Sequence, residues 1–309
     1  MKTKLLLFLF LCLSTIVFGQ QDAQYTQYMY NTTIVNPAYA GSREALNVFL
    51  LHRSQWVGFD GAPVTTNFSA DSPINENIGV GLSFMKDKIG PSDEKDLAVN
   101  FSYGFYINEY YKLSFGLKAS LNILDIDFSN TFVNDLNDYE FQTNIDNRFS
   151  PNMGVGVYLN SDISYVGISS PALLKSDHFD RYAEPDAGSH VINKQMHVYL
   201  MGGYVFDLSD NVKFKPSFLS KLTSGAPMQV DLSANFLINE KFSAGLAYRW
   251  SAALSALVGV QATNNWFIGY SYDMETTRLA NYNSGSHEIF LRYELFNKYN
   301  RYVISPRFF

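Results

Sequence analysis

Apolar and polar residues alternate with a period of two along most of this chain, and that pattern predicts β-strands. From Lys112 to Asn122 the odd positions are apolar, and the even positions are polar or small. Fourteen segments show the pattern, and most have the ~9–11 residues with which a tilted strand crosses a membrane. They lie near 44–53, 63–71, 77–86, 95–107, 111–124, 152–159, 162–169, 194–207, 211–222, 228–237, 241–250, 254–262, 265–273 and 286–296.

The links between these segments alternate in length. After even-numbered segments they are tight and carry Asn or Asp, at 74–76, 108–110, 160–161, 209–210, 238–240 and 263–264. After odd-numbered segments they are mostly long, at 54–62, 87–94, 125–151, 170–193, 223–227 and 274–285, with 251–253 short. Bacterial outer-membrane barrels combine short periplasmic turns with long external loops. We therefore predict an all-β, antiparallel transmembrane β-barrel of about 14 strands over 44–296, with both termini periplasmic. A soluble barrel or sandwich is the alternative.

The two faces of the predicted strands differ in chemistry. The apolar face carries aromatic residues toward the strand ends, where outer-membrane barrels have interfacial girdles. These residues are Tyr103, Tyr248, Trp250, Trp266, Tyr270, Tyr272 and Tyr293. The opposite face carries the residues that we expect in a polar lumen, namely Asn100, Lys118, Lys213, Lys215, Arg249, Asp273, Glu288, Arg292 and Glu294.

Residues 1–19 have the layout of a cleavable signal peptide. Lys2 and Lys4 precede an apolar stretch from Leu5 to Phe18, and Gly19 offers a small residue at the cleavage site. A membrane-spanning helix is the alternative, but the stretch is shorter than the ~20 apolar residues that such a helix needs. The only cysteine, Cys12, lies in this segment. A chain cut after Gly19 therefore has no disulfide, cysteine-based zinc site or cysteine nucleophile.

Residues 20–43, ahead of the first strand, are rich in uncharged amides and tyrosine. A disordered leader is one interpretation, but the aromatic content is high for disorder. We predict an ordered segment that occupies or caps the periplasmic half of the lumen, where side-chain amides can both donate and accept hydrogen bonds. The candidate plug or partner-contact residues are Gln24, Tyr25, Gln27, Tyr28, Tyr30, Asn36, Pro37, Tyr39 and Gly41. We expect residues 297–309 to form a periplasmic tail.

No catalytic or cofactor-binding motif occurs in a useful context, so we predict a protein that is not an enzyme and has no cofactor or metal. His52 and Ser54 share a strand face, and a polar pair in the lumen or at the rim is favoured over a catalytic pair. The 125–151 loop is acidic, and a solvated loop is favoured over a calcium site because its carboxylates lack EF-hand-like spacing. The net charge of −6 argues against a nucleic-acid partner.

Short motifs follow one another along the chain after the signal peptide. They are Gln27-Tyr28-Met29-Tyr30-Asn31, Asn36-Pro37-Ala38-Tyr39-Ala40-Gly41, Arg53-Ser54-Gln55-Trp56, Gly61-Ala62-Pro63-Val64-Thr65, Asp87-Lys88-Ile89-Gly90, Pro216-Ser217, Tyr270-Ser271-Tyr272-Asp273 and Gly285-Ser286-His287-Glu288-Ile289. In the order and spacing of these motifs, the chain resembles the PorP/SprF family of type IX secretion-associated outer-membrane proteins of Bacteroidetes. The motif positions in the predicted barrel are Arg53, Gln55, Trp56, Pro63, Asp87, Gly90, Pro216, Tyr272, Asp273, His287 and Glu288.

The resemblance implies a non-enzymatic role beside the type IX translocon. Members of the family help particular large surface proteins to be secreted or held at the cell surface. In gliding species the cargo can be an adhesin recognised through its C-terminal domain, and the periplasmic ring components are the other implied partners. The alternative is a porin-like pore or a transporter for hydrophobic substrates.

Overall fold

The computed structural model describes residues 24–128, 144–174, 196–223 and 226–295. These residues form a single antiparallel sheet with short 3₁₀ helices at Tyr28–Tyr30, Thr32–Ile34, Pro37–Tyr39 and Arg278–Asn281. The strands are β1 (Leu46–Ser54), β2 (Val64–Pro73), β3 (Ile78–Ile89), β4 (Ser92–Tyr106), β5 (Lys112–Ile126), β6 (Ile145–Asn160), β7 (Ser164–Ser170), β8 (His197–Tyr204), β9 (Phe206–Ser209), β10 (Val212–Thr223), β11 (Gln229–Ile238), β12 (Phe242–Arg249), β13 (Ala253–Gln261), β14 (Trp266–Glu275) and β15 (Ser286–Leu295).

The sheet closes into a barrel because the first strand pairs with the last. β1 lies between β2 and β15, and both pairings are antiparallel. β8 and β9 flank Val205 and act as one spanning strand, since both pair with β10. Val205 donates its backbone N–H to the carbonyl of Ile163 at 2.7 Å, which extends the pairing with β7 by one residue past Tyr204. The fourteen spanning strands confirm the predicted fold, and closure satisfies the backbone groups that an open edge would leave unpaired in lipid.

The turn rim is the end of the barrel where tight links follow the second, fourth, sixth, eighth, tenth and twelfth spanning strands. In this count β8 and β9 are one strand, so the tenth and twelfth are β11 and β13. These links are 74–77, 107–111, 161–163, 210–211, 239–241 and 262–265. Asn side chains close several of them. The Asn108 Oδ1 atom accepts from the backbone N–H groups of Tyr110 and Tyr111, and the Asn75 Oδ1 atom accepts from those of Asn77 and Ile78. The Asn-bearing sequence of the turns is therefore the cause of their geometry.

The opposite end is the loop rim, whose described links include 55–63, 90–91, 250–252 and 276–285. The prediction of a long loop at 87–94 is wrong, because β3 and β4 continue to a two-residue hairpin at Gly90 and Pro91. Charged residues lie on both faces of these strand ends, so the sequence there does not alternate between apolar and polar residues and was predicted to be a loop. β5 and β6 also run into the predicted 125–151 loop from its two sides. Residues 129–143 and 175–195, the greater part of the two longest predicted loops, lie outside the described residues.

Side chains alternate between the two sides of the wall as the sequence predicted. Leu117 and Leu246 are exposed on the outer face, whereas Lys118 points to the interior. His287 lies outside and Glu288 is fully buried inside. The described residues contain no helix that is long and apolar enough to cross a membrane.

Candidate functional site: a plug through the lumen

Residues 24–43, here called the plug, run through the inside of the barrel from one rim to the other. Nearly all of them are buried, and Asn36 has no exposed surface. Gln24 contacts side chains at the loop-rim ends of β11 and β12. Arg43 pairs with Glu294 at the turn-rim end of β15. The plug therefore spans the lumen along its length, whereas the sequence suggested only the periplasmic half. The described chain begins with Gln24 at the loop rim and ends with Leu295 at the turn rim, so the prediction that both ends lie on the same, periplasmic side is wrong for the described residues.

A cluster of buried charges, here called the latch, holds the plug near the loop rim. The Arg53 Nη1 atom lies 2.6 Å from the Asp273 Oδ2 atom and 3.1 Å from the Glu288 Oε2 atom. The plug completes the cluster. The backbone N–H groups of Thr26 and Gln27 donate to the Glu288 carboxylate at 3.1 and 2.9 Å. The Thr26 hydroxyl also donates to Asp273 at 2.7 Å. One carboxylate thus accepts from both the barrel wall and the plug backbone, and such charge-assisted hydrogen bonds are the stronger kind.

A second ion pair holds the outermost described end of the plug. Arg249 binds Asp231 through two nitrogens, at 2.9 and 3.2 Å. The same guanidinium donates to the Gln24 side-chain oxygen at 2.8 Å and to the Tyr25 carbonyl at 3.4 Å. Because a guanidinium has five N–H donors in a fixed plane, Arg249 can donate hydrogen bonds to the wall and to the plug at the same time.

Aromatic packing fills the middle of the lumen. The Tyr30 ring lies 4.8 Å from the Phe290 ring and 5.4 Å from the Phe267 ring, and Phe49 stacks on Phe290 at 4.9 Å. These inward-facing Phe residues were not predicted for the polar lumen. The continuous apolar run of Val48 to Leu51 was the available signal, because over these four residues both faces of β1 are apolar.

The Asn36-Pro37 turn packs against the wall where the wall has no side chains. The Asn36 side chain accepts from the Ala38 N–H at 3.0 Å and donates to the Val157 carbonyl at 3.1 Å. A Cβ added at Gly116 would lie 2.1 Å from the Ala38 backbone nitrogen. Gly116 therefore allows a direct backbone approach that any other residue would block.

The turn-rim end of the plug is held by carboxylates of the wall. The Gly41 N–H donates to Asp71 at 3.0 Å, and Asn47 donates to the other oxygen of the same carboxylate at 2.7 Å. Arg43 pairs with Glu294, which also lies 3.3 Å from Arg292. The sequence did not single out Thr26, Arg43, Asn47 or Asp71. Their partners are distant in the sequence, so no local spacing could have identified them.

The remaining motif positions fall in three places. Trp56 donates its indole N–H to Glu275 at 2.8 Å, Gln55 donates its backbone N–H to the carbonyl of Pro63, and Gly90 donates to Gly61, all at the loop rim. Asp87 is buried and accepts from the Thr65 hydroxyl at 2.6 Å. Tyr272, His287 and Pro216 lie apart from the latch, the first two on the outer face. The structure brings the motif residues Arg53, Asp273 and Glu288 together with the plug, and Ser271 of the Tyr270–Asp273 motif accepts from the Gln27 side chain at 3.3 Å.

The other chemical candidates lie away from the plug. His52 and Ser54 point out of the barrel near the loop rim, so the interpretation as a lumen pair is wrong and that of a rim pair stands. Across the described part of the chain, no group of three or more His, Cys, Asp or Glu side chains is placed to hold a metal ion. His178, His190 and the acidic residues Asp135, Asp138 and Glu140 lie outside that part.

Solved structures that are similar to this chain are membrane barrels. The CymD monoaromatic hydrocarbon channel is 13% identical, with a TM-score of 0.51, and the match covers 91% of this chain and 95% of that one. The Ralstonia pickettii toluene transporter TbuX is 9% identical, with a TM-score of 0.51, and the match covers 86% and 93% of the two chains. At these identities the similarity shows a common fold.

The comparison with curated proteins gave no significant match. The family model of the type IX secretion system membrane protein PorP/SprF matches residues 17–293, which takes in the plug and nearly all of the barrel. The latch and the plug motifs both lie within that match. The chain therefore belongs to the PorP/SprF family of type IX secretion system membrane proteins.

Proposed function

We propose that this protein is a cargo-specific component of the type IX apparatus in the outer membrane. In this role it binds the C-terminal domain of one large, adhesin-like surface protein and supports its secretion or its anchoring at the cell surface. The loop rim faces the cell exterior, and the turn rim faces the periplasm and the ring components of the apparatus. Binding of this kind needs no catalytic residue.

The single observation that carries the proposal is that the chain fills its own lumen. The latch, the aromatic packing and the turn-rim carboxylates hold the plug at three levels of the barrel. A membrane protein whose lumen is occupied along its length by its own buried residues is suited to act through its rims. Together with membership of a secretion family, this favours a binding role over conduction.

The loop rim offers a surface for such binding. The links 55–63 and 276–285 are joined by hydrogen bonds from Val57 N–H to the Gly285 carbonyl and from Ser284 N–H to the Val57 carbonyl, at 2.9 and 2.8 Å. On these joined loops Phe59 is 49% exposed and Tyr282 is 70% exposed. Contiguous exposed apolar surface marks protein-binding sites, and these two rings lie on loops that the hydrogen bonds hold together. We place cargo recognition on this surface.

A transport channel is the alternative function. The two similar structures are those of a monoaromatic hydrocarbon channel and a toluene transporter. A channel requires a continuous path, however, and the plug would have to leave the lumen or rearrange to provide one. The occupied lumen therefore favours the secretion role.

The experiment compares two exposed tyrosines at opposite rims in a strain that depends on this protein. Tyr282→Asp should lower the amount of the cargo on intact cells at least tenfold, while the level of folded barrel is unchanged. Tyr110→Asp, a control at the turn rim where Tyr110 is 73% exposed, should leave cargo display unchanged. Surface proteomics of intact cells measures both. Equal cargo display in the two variants would contradict recognition through the loop rim.

A further inference from the structure

Three side chains form a hydrogen-bonded chain on the outer face of the barrel, near the loop rim. His52 and Ser54 are two residues apart on β1 and therefore share a face. The Ser54 Oγ atom lies 3.4 Å from the His52 Nε2 atom. The other ring nitrogen, Nδ1, lies 3.1 Å from the Thr66 Oγ1 atom, on the residue opposite His52 in the neighbouring strand.

The order of nucleophile, imidazole and third polar group is the one that serine hydrolases use, with a threonine hydroxyl here in the place of their carboxylate. A nucleophilic hydroxyl contacts one nitrogen of an imidazole, and a third polar group holds the other nitrogen. With the proton on Nδ1, His52 donates to Thr66 and its Nε2 atom is free to accept from Ser54. The 3.4 Å separation is longer than an optimal hydrogen bond, as is common before substrate binds. Such sites are recognised by geometry and not by sequence order.

We propose that Ser54, His52 and Thr66 form a catalytic site that hydrolyses acyl esters of lipids lying against the outside of the barrel. Ser54 is the nucleophile, His52 the general base and acid, and Thr66 a positioning residue. Nothing in the proposed secretion role uses these three side chains, because they lie on the other side of the wall from the plug.

The surroundings of the site favour a lipid substrate. On the same outer face, Leu50 is 46% exposed, Phe68 is 38% exposed and Ile289 is 51% exposed, so acyl chains have an apolar wall beside the site. Lys86 is opposite Thr66 in the next strand, and its side chain is 46% exposed. Its ammonium group pairs with the Asp93 carboxylate at 3.0 Å, so charged groups that a polar lipid headgroup can contact lie at the level of the site. The site is thus placed where the apolar wall gives way to charged residues.

The reaction balances without a cofactor. Ser54 Oγ attacks the ester carbonyl carbon, and His52 Nε2 takes the hydroxyl proton. The tetrahedral intermediate collapses, the bond to the alcohol oxygen breaks, and His52 returns the proton to the leaving alcohol. Water, deprotonated by His52, then hydrolyses the acyl-serine, which releases a fatty acid and restores the Ser54 hydroxyl.

The test uses the purified full-length barrel in detergent micelles with a fluorophosphonate probe and with phospholipid mixed micelles. The wild-type protein should be labelled at Ser54, as located by mass spectrometry, and should release fatty acid. Ser54→Ala should lose both. His52→Gln should slow labelling on the order of 100-fold or more, as loss of a general base does. Absence of labelling in the wild type, or equal labelling of Ser54→Ala, would overturn the proposal.

Three further variants separate loss of catalysis from damage to the wall. His287 lies on the same outer face, opposite Ser54 in β15, but its ring contacts Tyr270. His287→Gln should therefore leave labelling unchanged, and a loss equal to that of His52→Gln would overturn the assignment of the base. Thr66→Val should lower the rate about tenfold and Thr66→Ser should restore it. Equal rates in Thr66→Val and the wild type would remove Thr66 from the site.

Discussion

Removing the Glu288 carboxylate should undock the loop-rim end of the plug. Glu288→Ala deletes the acceptor for the backbone N–H groups of Thr26 and Gln27 and one of the two carboxylates that face Arg53. For docking, the relevant loss is that of the two plug hydrogen bonds, and a hydrogen bond to a charged group contributes roughly 1.5–3 kcal/mol, so the two together contribute roughly 3–6 kcal/mol. Because each 1.4 kcal/mol is a factor of ten in an equilibrium, the ratio of docked to undocked plug should fall roughly 100- to 20,000-fold.

Amide hydrogen exchange measures this loss directly, because exchange protection reports the free energy of local opening. Peptides that cover residues 24–35 should lose protection by the factor given above, while peptides from β4 and β5 stay protected. Asp96→Ala is the matched control, since Asp96 is a lumen carboxylate that pairs with Lys118 on the wall. Plug protection that stays unchanged in Glu288→Ala, or falls equally in both variants, would refute the role of the latch.

Three other predictions test the assignment of strand faces, the close approach of the plug backbone to Gly116, and the orientation of the barrel in the membrane. Leu117→Arg should impair barrel assembly, because a charge in the lipid-facing middle of a strand costs roughly 2–4 kcal/mol, whereas Lys118→Ala should be tolerated. Heat-dependent electrophoretic mobility measures the folded fraction of each variant. Equal folded fractions would contradict the assignment of the two residues to opposite faces. Gly116→Val should push the plug backbone away from the wall and lower the thermal midpoint; an unchanged midpoint and unchanged plug protection would contradict the close packing. In a chain without other cysteines, Phe59→Cys should react with an impermeant maleimide on intact cells, and Tyr110→Cys only after permeabilisation; the reverse pattern would invert the proposed orientation.

The strands of the barrel were predictable from the sequence because the pattern that determines them lies within each strand. Alternation with a period of two assigns each strand residue to one face, so the outward position of Leu117 and the inward position of Lys118 follow from the sequence alone. The tight turns were predictable for the same reason, since Asn108 closes its turn with neighbours two and three residues away. The 87–94 hairpin was not, because composition does not distinguish a charged loop from a strand end with charges on both faces.

The plug was only partly predictable. Its amide- and tyrosine-rich composition indicated a segment that needs partners, but composition carries no information on how far a segment reaches along a lumen. The latch depends on Arg53, Asp273 and Glu288 meeting across three strands, and Asp273 is 220 residues from Arg53. Only the closure of the barrel and the strand register bring such groups together. Thr26 was missed because its importance comes entirely from those partners.

Conductance across a planar lipid bilayer tests most directly the central claim that the chain closes its own lumen. The full-length barrel should insert without opening a steady conductance, and a variant that lacks residues 22–35 should fold, insert and conduct ions. Folding of both proteins is checked beforehand by their heat-dependent mobility. A full-length barrel that conducts as well as the deletion variant would contradict the claim.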